Sequence, residues 1–540
     1  MRPFRKTVTQ ADAEKAHKPF SARLRSFAKG AVRFAFLLLC SLGTAWLVKH
    51  SYPKISNHLL AWLALAPFIW GVTKLKGFWT SFFYSWFTAV LINAGIYYWI
   101  YYTCVHGGGL SNGLSLAAWL GLSALLGLQF AVFGGSCFFL KKLGNLFPVL
   151  AACGVVALEW LHQTIAFYGL GFPWFMLGYT QWNAPEMLQI ASFTGVYGIT
   201  FAVAFTGISV GYAFATSSLK RAVFHMILAG AVFLGLFAYG KSVLGEAKRF
   251  QPLLSVNVAL MQPDIDQYKK WSPEFEEEII QTVLDMSRET EGKNRLLTVW
   301  PESVTPGPLQ DPQYRMLFED LATQSGSAQL LGSNTEEGGK QYVSAYLVEP
   351  GTDGLQVYHK EKLVPFGEYI PLETTVRSLF KNVAVLGELG VFSPGPKDQK
   401  LMSLPGVPFG ATICYESIFP QLWLGQNRDG AKFFVNVTND AWYFDTDAPY
   451  QHLAVNVLRA VELGRPVLRA ANTGISAVID PLGRIEYKLD LNTRGILYAT
   501  IPLPVGDDAN FYTQWGDWFA YLCAAFYFTL LISTFVFAYE

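Results

Sequence analysis

A chain of 540 residues that is 52% hydrophobic and 16% aromatic is too long and too apolar for one ordinary water-soluble domain. Its 41 lysines and arginines against 40 acids, with no basic outer face, argue against a nucleic-acid partner. The acids are unevenly spread: Asp12, Glu14, Glu159 and Glu186 are the four that precede Glu246, and the other 36 lie from Glu246 onward. A membrane-spanning half should therefore meet a polar half near residue 245.

Residues 1–30 form a basic arm carrying Arg2, Arg5, Lys6, Lys15, Lys18, Arg23, Arg25 and Lys29. It is expected on the cytoplasmic side, followed by an uncleaved anchor and not a signal peptide, because the arm is long and polar and no small-residue cleavage pattern follows. A bilayer crossing takes roughly 20 apolar residues. Spans are predicted at 31–48, 58–72, 78–101, 114–140, 147–162, 187–215 and 222–239, which gives a seven-helix membrane domain over 31–244. An eighth, at 518–539, lies in the closing segment 516–540. Lysines and arginines mark cytoplasmic loops, and alternate breaks carry Lys74 with Lys76, Lys141 with Lys142, and Lys220 with Arg221. Seven crossings from an inside start place residues 245–515 outside.

That outer segment reads as an α/β domain. LLSVNVALMQ (253–262), RLLTVWPES (295–303), YVSAYLVEP (342–350), FGATICYES (409–417), KFFVNVTND (432–440) and ISAVIDPLG (475–483) have the composition of strands buried on both faces. Between several of them lie stretches of helical character, among them SPEFEEEIIQTVLDMSRET (272–290) and QHLAVNVLRAVELG (451–464).

Of six cysteines, Cys414 alone falls in the outer domain, so it has no structural disulfide partner there. It is either a small buried hydrophobe or a nucleophile. Strand ends are where α/β folds expose reactive groups, and three such ends carry Glu302, Lys360 with Glu368, and Cys414 with Glu416. A thiol attacks poorly until a base takes its proton or a cation stabilises the thiolate. A glutamate and a lysine meeting at the cysteine would supply both.

Glu302, Lys360 and Cys414, in the contexts WPES, YHKEK and CYES and in that order, resemble the triad of the nitrilase (carbon-nitrogen hydrolase) superfamily. LVPFGEYIPLE (363–373), NDAWY (439–443), RAVELGRPVLRAANTGIS (459–476), FPW (172–174) and GYTQ (178–181) resemble more narrowly its membrane-anchored branch, the apolipoprotein N-acyltransferases. The resemblance implies about eight transmembrane helices with a nitrilase-like αββα sandwich on the outer face, inserted before the last helix. It implies an inner-membrane enzyme of a bacterium with two membranes, its catalytic domain in the periplasm. The implied reaction moves an acyl chain, typically the sn-1 chain of phosphatidylethanolamine, through a Cys414 thioester to the free amine of a diacylglyceryl-cysteine apolipoprotein.

By the same resemblance Glu302 is the general base and Lys360 the oxyanion partner, while Glu368 and Glu416 support the site. Tyr415 and Trp271, the latter in QYKKW, shape the acyl path. LVPFG, VAVLGELGVF (383–392) and NDAWYF (439–444) are candidates for an apolar rim or lid. The expected partners are the phospholipid donor, the apolipoprotein acceptor and the bilayer, and the chain is expected to act as a monomer without cofactor or metal. GLFAYGKS (235–242) fits a phosphate-loop pattern by chance, since it closes an apolar span. His359 is a possible accessory group, and the sequon at Asn436 is expected to be unused. A membrane-tethered amidase and, more remotely, a transporter with an outer binding domain remain as rival readings.

Overall fold

The computed structural model describes residues 20–247, 254–270, 272–352, 354–379, 392–504 and 509–536. The N-terminal half is helical: α1 (Phe20–Ser51), α2 (His58–Ala64), α3 (Ala66–Thr73), α4 (Phe78–Ile96), α5 (Asn112–Leu140), α6 (Phe147–Phe167), α7 (Val196–Ala215) and α8 (Leu219–Ala247). Five helical stretches among the described residues are long and apolar enough to cross a bilayer: Phe27–Ser51, Asn112–Phe167, Val196–Ala215, Leu219–Glu246 and Trp518–Val536.

Two expected spans take a different form. The 58–72 segment is two short helices, broken at Leu65 where Pro67 opens α3. The 187–215 segment begins as two one-turn helices and straightens after Gly195, whose φ of +65° turns the chain. A Cβ at Gly195 would also come within 2.5 Å of the Tyr512 ring, so glycine is required there twice over. GLFAYGKS lies inside α8, with no loop to cradle a phosphate.

Between α6 and α7 the chain runs irregularly through FPWFMLGYTQ. Backbone of this kind beside lipid must find its hydrogen bonds within the protein. Buried Glu159 accepts the Leu177 N–H at 2.9 Å and the Thr200 hydroxyl at 2.9 Å. Gln181 accepts the Trp62 indole at 3.0 Å and donates to the His58 carbonyl at 3.0 Å. One intramembrane acid thus holds a loop, and that loop carries Phe172 and Trp174 to the functional face.

The C-terminal half contains β1 (Leu254–Gln262), α9 (Glu276–Arg288), β2 (Leu297–Val299), α10 (Pro312–Ser325), β3 (Ala328–Glu337), β4 (Lys340–Val348) and β5 (Leu355–His359). It continues through β6 (Met402–Leu404), β7 (Val407–Ile413), α11 (Pro420–Arg428), β8 (Phe434–Thr438), α12 (Ala448–Leu463), β9 (Val467–Ala471), β10 (Ala477–Ile479), β11 (Ile485–Lys488) and β12 (Gly495–Leu503). The apolar helix α13 (Trp518–Val536) follows. The strands form two six-stranded sheets, ordered β12-β1-β2-β3-β4-β5 and β11-β10-β9-β8-β7-β6.

The inner faces of the two sheets share one core, in which Leu260, Val299 and Leu330 meet Ile413, Val437 and Leu468. Val283 of α9 and Phe318 of α10 cover the outer face of the first sheet. On the second sheet, α11 and α12 join a core that continues into Trp62, Phe68 and Val156 of the membrane helices. This is the αββα sandwich, with one helical layer clamped between a sheet and the membrane domain. The sequence of α12 reflects that position: Tyr450 is its single residue that is not buried, where a soluble amphipathic helix would keep a polar face.

Candidate active site

The central strands β1, β2 and β3 run parallel, as do β7, β8 and β9, so their C-terminal ends gather at one edge of the sandwich. Glu302 lies three residues beyond β2, Lys360 directly follows β5, and Cys414 directly follows β7. The edge therefore brings all three together. Lys360 Nζ lies 3.3 Å from Glu302 Oε1 and 2.6 Å from Glu368 Oε1. The second Glu302 oxygen accepts the Asn439 N–H at 2.9 Å. Cys414 is 6% exposed, Glu302 6% and Lys360 0%, so water has little access to any of them.

Gly332 makes this geometry possible. A Cβ there would sit 2.5 Å from the Glu302 Cα, so β3 passes Glu302 at glycine-only distance. Gly332→Ala should push the 301–303 turn outward and slow turnover at least about tenfold, since a misplacement near 1 Å can cost about 100-fold. Comparison of turnover with melting temperature checks this, because a purely stabilising glycine would change only the latter.

The electrostatics are set by burial. It would drive Lys360 toward neutrality, but Glu302 and Glu368 outweigh it and hold the ammonium charged well above its usual range. Burial also raises Glu368, against the pull of Lys360. The Cys414 thiol is pushed up first by burial and then by the Glu302 carboxylate, while Lys360 pulls it down. A resting protonated thiol beside a carboxylate and a fixed cation is suited to proton transfer in step with attack.

Cys414 opens a short 3₁₀ turn, Cys414–Ile418, with φ at +50°, a left-handed value costly for a residue with a side chain. Glu416 folds back beneath it. Its carboxylate accepts the N–H groups of Ile413 (2.8 Å), Glu361 (2.6 Å) and Lys362 (3.1 Å) and the Tyr358 hydroxyl (3.1 Å). Glu416 therefore ties the turn after β7 to the chain after β5. Burial lifts its carboxyl to about 7 against those donors. Tyr415 stacks on Phe172 at 5.7 Å and Trp174 at 6.4 Å, joining the thiol's own turn to the membrane loop.

Trp271 and most of the 383–392 segment lie outside the described residues. In the other rim candidates, Phe366 is 53% and Trp442 40% exposed. His359 bonds Ser344 at 2.8 Å and tilts over Tyr342, outside the Glu302, Lys360 and Cys414 group. Asn436 is wholly buried in β8, with its amide turned to Thr412 and the Cys414 carbonyl. Among the described residues no group of three or more His, Cys, Asp or Glu could hold a metal ion.

Sequence reasoning missed several contributors. Lys270, in the same QYKKW that pointed to Trp271, donates to the Glu302 carbonyl at 3.0 Å, and burial lowers it to about 8. Asp440, in NDAWY, lies 2.6 Å from Arg469 Nη2 and 2.9 Å from His452 Nδ1. Burial would raise that carboxyl, but Arg469 and His452 hold it at about 2. His452 lies within the helical stretch QHLAVNVLRAVELG, and the chain offers no spacing that ties it to Cys414.

The membrane half reaches the same edge. Lys49 and Tyr98 bind Asp447, and Gln451 accepts the indole N–H groups of Trp99 (3.1 Å) and Trp174 (2.8 Å).

Comparison with known proteins matches both halves. Residues 257–510 fit the carbon-nitrogen hydrolase family model, and residues 44–209 fit that of the apolipoprotein N-acyltransferase N-terminal domain. Proteins named apolipoprotein N-acyltransferase are similar over most of their length. That of Geobacter metallireducens is 35% identical over 88% of this chain and 91% of its own. That of Brucella melitensis is 32% identical over 88% and 86%, and that of Haemophilus ducreyi 30% identical over 87% and 92%. A solved carbon-nitrogen hydrolase superfamily protein of Xanthomonas campestris aligns with 46% of this chain and 91% of its own at 16% identity, with a TM-score of 0.36. With both domains matched in order and such identity across most of the length, the chain belongs to the apolipoprotein N-acyltransferase family.

Proposed function

We propose that this N-acyltransferase takes the sn-1 acyl chain of phosphatidylethanolamine onto Cys414 and passes it to the N-terminal amine of a diacylglyceryl-cysteine apolipoprotein. The observation that carries the reading is the buried Glu302, Lys360 and Cys414 group mounted, through Tyr415, on an aromatic loop of the membrane domain.

In the first step Glu302 takes the thiol proton, Sγ attacks the ester carbon, and Lys360 receives the oxyanion. The C–O bond breaks, Glu302 returns the proton to the departing alkoxide, and a lysophospholipid leaves. In the second step the acceptor amine attacks the thioester and gives a proton to Glu302. The C–S bond then breaks and the thiol is re-formed. Both steps use one base, one cation and one thiol, and a buried site keeps water from the thioester.

The setting suits lipid substrates. A pocket lies in the membrane domain, lined by Ile92, Tyr97, Phe130, Phe133, Val155 and Phe175 among others. Its Tyr97 ring sits 6.0 Å from Phe172, which stacks on Tyr415. We assign it to the acyl chain. Ile92→Trp should then shift preference toward short-chain donors without slowing them, as measured by competition between long- and short-chain lipids. The exposed Phe366 and Trp442 would dip toward the bilayer as a rim.

At the end of the helices away from the catalytic domain, Arg33 donates to the Lys74 carbonyl, Lys74 to that of Ala215 and Lys141 to that of Leu75. Lys49 and Phe167 meet the catalytic domain at the other end. That separation supports a cytoplasmic basic side and a periplasmic catalytic domain in the inner membrane.

The test is mass spectrometry of the purified chain after incubation with phosphatidylethanolamine. The expected product is a hydroxylamine-labile acyl group on Cys414 that persists in water and disappears when a diacylated lipopeptide is added. An unmodified Cys414 in folded protein with accessible lipid overturns the reading, and an adduct lost to water without acceptor turns it toward an amidase.

A further inference from the structure

The carbonyl of Cys414 is held from outside its own turn. It accepts from His452 Nε2 at 3.0 Å and, at 3.4 Å, from Asn436 Nδ2. A carbonyl oxygen can only accept, so Nε2 carries the hydrogen whichever way Nδ1 is protonated. His452 is fixed in turn. Nδ1 lies 2.9 Å from Asp440 Oδ1 and 3.2 Å from Arg469 Nη2. Arg469 Nη2 donates to Asp440 Oδ2 at 2.6 Å and Nη1 to Asn436 Oδ1 at 2.8 Å. The circuit Asp440, His452, Arg469, Asn436 is fully buried and closes on one backbone oxygen. The ring of Trp174, from the membrane loop, tilts against His452 at 5.3 Å.

This concentration of buried polar groups is more than packing requires, because each would be costly if left unpaired. What it fixes is the peptide joining Cys414 to Tyr415. A trans peptide is planar, with its C=O and N–H pointing in opposite directions. Pinning the oxygen on the His452 side therefore aims the Tyr415 N–H the other way. That N–H belongs to the first turn of the 3₁₀ segment, where amide donors lack partners within the helix.

We propose that His452, held by Asp440 and Arg469, is a positioning residue that fixes the Cys414 carbonyl and thereby aims the Tyr415 N–H at the oxygen of the acyl ester attacked by Cys414. The inference rests on Cys414 being the nucleophile. His452 touches neither substrate nor thiol. It acts through one peptide plane, supplying with Lys360 the second donor for the developing oxyanion.

The test is single-turnover acylation of the full-length protein in micelles containing phosphatidylethanolamine. His452→Phe keeps a ring against Trp174 and removes the donor, whereas His452→Gln keeps a donor. Loss of one oxyanion donor should slow His452→Phe about 100-fold at saturating lipid, with half-saturation moved less than about twofold, and His452→Gln should recover at least about tenfold. A saturating rate for His452→Phe within about threefold of wild type overturns the proposal, as does a loss confined to half-saturation or a glutamine variant no faster than the phenylalanine one. Should His452→Phe not fold, Asp440→Asn decides. A fall of about tenfold or more at saturating lipid supports the proposal, and a smaller one overturns it. If the wild type itself takes up no acyl group, the acyltransferase reading fails and the proposal falls with it. If wild type and variants acylate alike, the positioning role alone fails.

Discussion

Glu302→Gln is expected to form the Cys414 thioester about 100- to 10,000-fold more slowly than wild type, the usual contribution of a positioned general base. The substitution is nearly isosteric, and the amide oxygen can still accept the Asn439 N–H that Glu302 Oε2 accepts at 2.9 Å. Folding should therefore change little. A second readout separates loss of the base from general damage. The Glu302 carboxylate helps push the Cys414 thiol up, and Lys360 pulls it down. With the carboxylate gone and Lys360 present, the thiol should ionise more readily, so Cys414 should alkylate faster with iodoacetamide near about pH 8 while it acylates more slowly. Opposite movements of the two rates identify a base. Parallel losses would mean a displaced site, and no loss of acylation would remove Glu302 from the mechanism. Glu368→Gln should have the milder effect, because Glu368 meets the Lys360 ammonium and the Val364 N–H and leaves Glu302 in place.

Much of this architecture is legible in the sequence because it follows from periodicity and composition. Runs such as VNVALMQ and FFVNVT can only be strands buried on both faces, and helices such as α5 and α8 can only be lipid-facing or core. The C-terminal ends of β2, β5 and β7 carry Glu302, Lys360 and Cys414 to one edge, so their meeting follows from topology. What the sequence conceals is contact between groups far apart in the chain. The Asp440, His452 and Arg469 circuit joins a loop, a helix and a strand, and none of its members has a local signature. Lys270 stands beside Trp271 in QYKKW, yet only tertiary packing shows that it holds the Glu302 carbonyl. Span boundaries fail for a related reason. Hydropathy cannot distinguish a continuous helix from one interrupted at Gly195, because the glycine's positive φ and its close approach to the Tyr512 ring, more than 300 residues away, leave no trace in composition.

Glu416→Ala should cost about 3–5 kcal/mol, among the larger effects of a single buried substitution. Alanine would strand the N–H groups of Ile413, Glu361 and Lys362 and the Tyr358 hydroxyl, all of which now end on one carboxylate. Differential scanning fluorimetry on the 16 tryptophans should report a melting temperature lower by roughly 10 °C. Glu416→Gln should fall between, since it retains one accepting oxygen and turns a donor toward the others. The pH dependence has a definite sign. Burial raises the Glu416 carboxyl to about 7, above its unfolded value near 4.5, so the folded chain holds this proton more tightly. That stability is complete below about pH 4.5 and is lost as pH rises through about 7. Glu361 and Glu462, also lifted to about 7 by burial, add slopes of the same sign. Wild type should therefore lose stability between about pH 5 and pH 8, and Glu416→Gln should lose less. An alanine variant that melts with wild type would show that the turn carrying Cys414 is held by other contacts. An unchanged slope in the glutamine variant would show that Glu416 keeps its charge through this range.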